Sequence, residues 1–154
     1  MKKYIIKILI FVSLINVAGM CSKDDATPVV VSVDPTPVIN TVNNGTWHVT
    51  LYQESGVDKL ANFTGYNFTF SPSGVLTATN DANTYNGTWS VTSDNSGDDS
   101  PSSDLDFNIA FSNPSSFASL TEDWNILEYT ATKVKLVHVS GGNGGTDYIN
   151  FEKN

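Results

Sequence analysis

The sequence predicts an all-β fold, a small antiparallel meander that closes into a barrel of about eight strands. From residue 45 onward, apolar and polar residues alternate in short segments rich in Val, Thr, Ile and aromatic residues. Gly, Asn, Asp and Ser separate these segments, and no stretch has a convincing helical period. Tight turns such as those at residues 71–74 and 141–145 join them as successive hairpins. Bending such a sheet into a barrel removes its exposed edges.

Residues 1–20 have the pattern of a secretory signal peptide. Lys2 and Lys3 give a basic start, and a mainly apolar run follows through Val17. Small residues, Ala18 and Gly19, stand near the expected cleavage point. The apolar run is shorter than the roughly 20 residues that a spanning helix needs, which disfavours the alternative of a permanent transmembrane anchor.

The sequence Val17-Ala18-Gly19-Met20-Cys21 resembles the lipobox of bacterial lipoproteins, although Met20 stands where that class usually has a small residue. The resemblance implies that Cys21, the only Cys, is acylated with chains such as palmitate and becomes the mature N-terminus. A buried, unreactive Cys would need apolar neighbours, and Ser22 and Lys23 provide none. Because several acyl chains together anchor a protein stably, we expect a membrane-anchored protein.

Lys23-Asp24-Asp25 resembles the export signal of Bacteroidetes lipoproteins that reach the outer face of the outer membrane. An ordinary solvated charge run is the alternative. The first interpretation predicts a protein that is lipid-anchored in the outer membrane and exposed at the cell surface.

Residues 21–43 are interpreted as an acylated N-terminus followed by a linker rich in Pro, Val and Thr, and residues 44–154 as the folded domain. Pro28, Pro35 and Pro37 block helix and interrupt ladder hydrogen bonding, so residues 26–42 are expected to form an extended spacer. Residues 29–33 could instead pair as an edge strand.

The charge of the protein excludes some partners. The 154 residues carry 8 Lys, no Arg and 16 acids, a net charge of -8. Beyond the signal peptide, 5 Lys stand against 16 acids, so the mature chain has a net charge of -11. Such a body repels anionic lipid headgroups, so membrane contact should come from the lipid alone. Without Arg, the bidentate recognition of phosphate and guanine is missing, and we expect no nucleic-acid partner. We expect a monomer.

The eight strands are expected at residues 46–53, 65–71, 75–80, 84–92, 104–111, 124–130, 133–140 and 146–152. Alternation assigns two faces to them. The predicted core positions are Trp47, Val49, Leu51, Tyr66, Phe68, Phe70, Trp89, Val91, Leu105, Phe107, Ile109 and Phe111. The predicted solvent positions are Thr50, Asn67, Thr69, Ser90, Asp106 and Asn108.

Two further features belong to the folded domain. The heptapeptide at 44–50 recurs at 86–92 with six of seven positions identical, which we interpret as two equivalent strand starts. In each, Gly would permit a turn and Trp would close an end of the barrel. Residues 113–120, with Phe117 and Leu120 three apart, form either a short helical turn that plugs an end of the barrel or an apolar-anchored loop.

Four motifs in order resemble the lipocalin-like domain found in many Bacteroidetes lipoproteins. They are Gly45-Thr46-Trp47, the segments 68–74 and 86–89, and Leu120-Thr121-Glu122-Asp123-Trp124-Asn125-Ile126. The resemblance covers about 110 residues, 44–153. It implies an eight-stranded lipocalin-like barrel, closed or half-open, and it says little about a ligand because fold does not determine function.

No constellation of residues predicts catalysis, a cofactor or a metal. His48 and His138 have no ligand-spaced partner in the sequence. His48 should face solvent, and His138 should be a hydrogen-bonded interior residue beside Val134 and Leu136. The acidic segment 93–106 could offer oxygen ligands to calcium, yet it matches no EF-hand, and a solvated loop is the favoured interpretation. The serines lack a nucleophile-elbow pattern.

These observations predict a non-enzymatic, membrane-anchored lipoprotein that binds a small apolar ligand in its barrel. The candidate lining residues are Tyr66, Phe68, Trp89 and Phe107. Inward aromatic residues can equally fill a small barrel. The alternative is therefore a cell-surface interaction or structural module with a filled barrel and no ligand in its lumen.

Overall fold

The structure, a computed structural model, describes residues 34–93, 105–142 and 144–154. These residues form nine strands and three short helical segments. The strands are β1 (Trp47–Glu54), β2 (Val57–Asp58), β3 (Asn67–Phe70), β4 (Val75–Thr79), β5 (Thr84–Ser93), β6 (Leu105–Ala110), β7 (Glu122–Thr130), β8 (Lys133–Val139) and β9 (Thr146–Lys153). The helices are α1 (Thr36–Val42), a 3₁₀ helix (Leu60–Asn62) and α2 (Ser115–Ala118). The eight predicted strands are confirmed, each bound within two residues.

The sheet is antiparallel throughout and closes on itself. Neighbouring strands follow in the order β2-β1-β3-β4-β5-β6-β7-β8-β9, and β1 also pairs with β9. The closing ladder runs from Trp47 opposite Lys153 to Gln53 opposite Tyr148. Eight strands therefore form a closed barrel, as predicted, while β2 pairs only with the end of β1.

Nine of the twelve predicted core positions are buried, Tyr66 and Leu105 are partly buried against the core, and Leu51 in β1 lies outside it. A register shift between Val49 and Leu51 inserts one extra residue against β9. Because a bulge moves the following side chains to the other face, Tyr52 is buried and Leu51 is partly exposed. The assignment of Leu51 to the core was therefore wrong.

The extended-spacer prediction is wrong for residues 36–42, which form α1. Pro35 is the N-cap and Pro37 lies in the first turn, where a missing N–H breaks no helical hydrogen bond. Val38 and Val42, one turn apart, are buried in the core of the barrel. The indole N–H of Trp47 donates to the Val42 carbonyl at 2.9 Å. This helix packs where β1 begins; residues 26–33 lie outside the described residues.

The helical-turn interpretation of residues 113–120 is confirmed by α2, which lies between β6 and β7. Phe117 and Leu120 are buried. The Tyr52 hydroxyl donates to the Ser119 carbonyl at 2.9 Å, and the Trp124 indole donates to the Leu120 carbonyl at 3.1 Å. The Phe117 ring lies 4.9–6.0 Å, centroid to centroid, from the rings of Phe63, Tyr66, Phe68, Tyr85 and Phe111.

The two copies of the heptapeptide repeat differ in the use of their glycine. Gly45 precedes β1 with φ +90, a conformation suited to Gly in a turn. Gly87 lies inside β5 instead, where an added Cβ would overlap the Ala110 carbonyl oxygen and lie 2.8 Å from Cδ1 of Phe111. The expectation of two equivalent turns is therefore wrong for Gly87, whose role is to permit close approach of two chain segments.

Candidate functional site

All four candidate lining residues pack against other rings: Trp89 and Phe107 contact each other, and Tyr66 and Phe68 each contact Phe117. Phe68 and Phe107 are completely buried, Trp89 is nearly so, and Tyr66 is partly buried against the core. The Trp89 and Phe107 rings stack at 5.9 Å, and Phe70 lies 5.6 Å from Phe107. These separations are typical of direct aromatic packing.

Two open concavities lie along the outer wall. The first has a volume of about 600 Å³ and crosses the outward side of β5 and β6 to the start of β7, with Thr88, Ser90, Asn108 and Glu122 among its lining. The second, of about 330 Å³, lies between Ile39 of α1 and the turn at Pro72 and Ser73. Thr88 and Ser90 are exposed on β5 and Asn108 is partly exposed on β6, so hydroxyl and amide groups line the first concavity together with apolar atoms.

A polar cluster lies at the end of the barrel where β7 and β9 begin. His138 stands on β8 directly opposite Asp147 of β9. Its Nε2 lies 3.4 Å from Oε2 of Glu122 and 3.7 Å from Oδ1 of Asp123, both at the start of β7. Its Nδ1 lies 4.0 Å from Oδ2 of Asp147. Three carboxylates from two strands thus surround one imidazole.

The surroundings of this cluster hold it in place. Asp147 is 8% exposed, and its Oδ1 accepts the backbone N–H of Ser55 at 2.7 Å. The Trp124 ring lies 6.1 Å from the imidazole at a steep angle. Burial raises the pKa of the nearby Tyr52 hydroxyl; a hydrogen bond with Ser119 opposes the shift, and the Asp147 and Glu122 charges add to it.

The structure corrects part of the interpretation of His138. The side chain points inward and is only 17% exposed, as expected beside Val134 and Leu136. Its Nδ1, however, is buried without a hydrogen-bond partner among the described residues. His48 is partly exposed, and its Nδ1 lies 2.6 Å from Oδ1 of Asn154.

The sequence does not predict this cluster of His138 with three carboxylates, because its members are far apart in the chain. A usable signal was nevertheless present: a hairpin centred on the glycine-rich turn at 141–145 places residue 138 near residue 147. The approach of Glu122 and Asp123 depends on the β7–β8 register, which the bulge between Ile126 and Glu128 alters. That bulge has no clear sequence signal.

Other predicted site residues lie outside the described residues. These are the lipid-attachment residue Cys21, the export-signal residues Lys23, Asp24 and Asp25, and most of the acidic segment 93–106. In the described part of the chain, no helix is long and apolar enough to cross a membrane.

No protein-family model and no curated protein matches the chain. Among solved structures, the chain is similar to the crystal structure of a DUF4847 family protein from Bacteroides vulgatus, with a TM-score of 0.46 and 20% sequence identity. The match covers 76% of this chain and 97% of that one.

Proposed function

We propose that this protein is a membrane-anchored, non-enzymatic lipoprotein with a lipocalin-like domain that contacts a partner through its outer wall. The observation that carries the proposal is the packing of the interior. Phe68, Phe107 and Phe117 are buried and lie in a continuous set of ring contacts. A ligand in the lumen would have to displace these rings, and each lost aromatic contact costs free energy.

Both ends of the barrel support the same proposal. At one end, α1 contributes Val38 and Val42 to the core and is tied to Trp47 by the indole hydrogen bond. At the other, α2 inserts Phe117 among the rings of neighbouring segments. Entry of a small apolar molecule would require one of these segments to move away.

The outer wall offers a surface for contact. The concavity of about 600 Å³ presents hydroxyl and amide groups from Thr88, Ser90 and Asn108, with carboxylates at its edge. A concave surface that presents these polar groups beside apolar atoms suits contact with the surface of a partner, which combines both kinds of group.

The interaction surface is tested by photo-cross-linking in the native cell. A photoreactive amino acid replaces Ser90, and in the control it replaces Ala82, which is exposed in the β4–β5 turn away from the concavity. We expect a defined cross-linked product from position 90 and none from position 82. The absence of a product at position 90 contradicts the outer-wall proposal.

The lumen is tested by native mass spectrometry of protein purified from its own membrane. We expect the mass of the acylated chain without a retained small molecule. A stoichiometric apolar ligand would instead support the lumenal function.

The membrane anchor is tested by substitution of the acylated cysteine. Cys21→Ser should release the protein from the membrane fraction, while the control Ser22→Ala should not. Continued membrane association of the Cys21 variant would argue against acylation.

A further inference from the structure

We propose that Glu122, Asp123 and His138 form a binding site for a divalent transition-metal ion, with Zn²⁺ as the best-suited class. Each residue offers one ligand atom, and the three atoms lie within 4.8 Å of one another. One imidazole nitrogen and two carboxylate oxygens form a donor set that zinc accepts. The proposal departs from the expectation from sequence that the protein holds no metal.

The distances from Nε2 of His138 to the two carboxylate oxygens fit metal coordination better than hydrogen bonding. In a tetrahedral site with bonds of about 2.0–2.2 Å, ligand atoms stand roughly 3.3–3.6 Å apart. The Nε2 atom of His138 lies 3.4 Å from the Glu122 oxygen and 3.7 Å from the Asp123 oxygen. Both separations exceed the usual length of about 2.7–3.2 Å for an N–H···O hydrogen bond. The Asp123 distance is slightly longer than the tetrahedral range, so a central ion would require that exposed side chain to move inward by a few tenths of an ångström.

The far side of the imidazole supplies an independent observation. Nδ1 of His138 is buried, has no hydrogen-bond partner in the described part of the chain, and lies 4.0 Å from Oδ2 of Asp147. A histidine that binds a metal through one nitrogen usually donates its other N–H to a carboxylate, which orients the ring and raises its basicity. Asp147 is the buried carboxylate beside this nitrogen, and the backbone N–H of Ser55 donates a hydrogen bond to its other oxygen. The present 4.0 Å is too long for a hydrogen bond, so Asp147 would act as a positioning residue once metal binding brings it and Nδ1 closer.

The site opens toward solvent on one side only. The Asp123 side chain is 71% exposed and the Glu122 side chain 37%, whereas His138 is only 17% exposed. Three protein ligands leave a fourth position of a tetrahedral site for water or an external ligand. Since Glu122 and Asp123 also line the 600 Å³ concavity, that open position would border the outer-wall surface.

The competing explanation is a protonated His138 that neutralises the carboxylates without any metal. In that case the imidazolium would form ion pairs with Glu122, Asp123 and Asp147. The two explanations predict different affinities for an added metal ion. An ion-pair cluster has no need of a cation, and it would bind one no better than other exposed acids of the protein.

The experiment uses the full-length protein in detergent, free of any histidine tag and treated with a chelator. Co²⁺ serves as the spectroscopic probe and Zn²⁺ as its competitor. We expect one equivalent of Co²⁺ to give visible ligand-field absorption that one equivalent of Zn²⁺ removes. His138→Ala should weaken Co²⁺ binding by at least tenfold, while His48→Ala, a matched change of the other histidine, should not alter it.

Two further variants keep the proposal falsifiable if His138→Ala does not fold. Glu122→Gln preserves size and removes one charged ligand, so affinity should fall at least tenfold with unchanged circular dichroism. Asp147→Asn should lower affinity by about 10–100-fold while leaving one equivalent bound, because it changes only the support of the imidazole. Absent Co²⁺ absorption in the wild type, or equal binding by wild type and the Glu122 variant, overturns the proposal.

Discussion

At the scale of single residues, the three tryptophans serve both as buried apolar surface and as hydrogen-bond donors. The indoles of Trp47, Trp89 and Trp124 donate to the carbonyls of Val42, Ser71 and Leu120. Each acceptor belongs to a segment outside the strands: the end of α1, the β3–β4 turn, and the second residue after α2. A buried indole needs such a partner, so each tryptophan attaches a non-strand segment to the barrel.

The sequence predicts which aromatic residues are buried, but it does not predict their hydrogen-bond partners. Alternation in β5 and β6 correctly assigned Trp89 and Phe107 to the core. The acceptor of the Trp89 indole, in contrast, depends on where the β3–β4 turn lies relative to β5. The surroundings of His138 likewise depend on the registers of three strands, which alternation alone does not set.

Gly87→Ala tests the close approach of β5 to the end of β6. The added methyl group would overlap the Ala110 carbonyl oxygen, so the backbone must shift, and we expect a loss of about 1–3 kcal/mol in the free energy of unfolding. Gly141→Ala is the matched control, because no atom of the residues that the structure describes lies within 4 Å of its added Cβ. Equilibrium denaturation in urea measures both. Equal stability of the two variants would contradict this role of Gly87.

At the scale of elements, strands were easier to predict than the segments that cover the ends of the barrel. The strands have period-2 alternation and turn residues, which are local signals. The helix α1 has a proline at its N-cap and another in its first turn, within a Val- and Thr-rich stretch, and local propensity favours extended chain. Tertiary contact overrides that propensity, because burial of Val38 and Val42 favours the helical arrangement that places both on one face.

The contribution of α1 is tested with Val38→Ala and Val42→Ala in the full chain. Both side chains are buried in the core, so each variant should lower the free energy of unfolding by about 1–3 kcal/mol. Asn40→Ala, on the exposed side of the same helix, is the control and should have little effect or a slightly stabilising one. If the two valine variants unfold at the same urea concentration as the control, α1 does not belong to the folded core.

At the scale of the whole molecule, closure of the barrel predicts that the domain unfolds as one cooperative unit. Each of the eight barrel strands has neighbours on both sides, and β2 alone among the described strands has a single neighbour. The closing ladder joins residues about 100 positions apart, from Trp47 opposite Lys153 onward. The C-terminal residue adds to the closure, since the Asn154 side chain donates to Thr46 and Asn67.

A proline in β9 tests whether closure carries the stability of the whole barrel. Asn150 pairs with Leu51 on one side and Lys135 on the other, so Asn150→Pro interrupts a strand that has no free edge. Because proline lacks the N–H and is tolerated mainly at edges, we expect a loss of about 3 kcal/mol or more in the free energy of unfolding. Loss of pairing to β9 would leave β1 and β8 with unpaired edges, so size-exclusion chromatography should show self-association.

Val57→Pro in β2 is the control. It should lower the free energy of unfolding much less, because that two-residue strand lies outside the closed barrel. Circular dichroism during thermal unfolding compares the two, and an unchanged midpoint for Asn150→Pro would mean that β9 does not close the barrel.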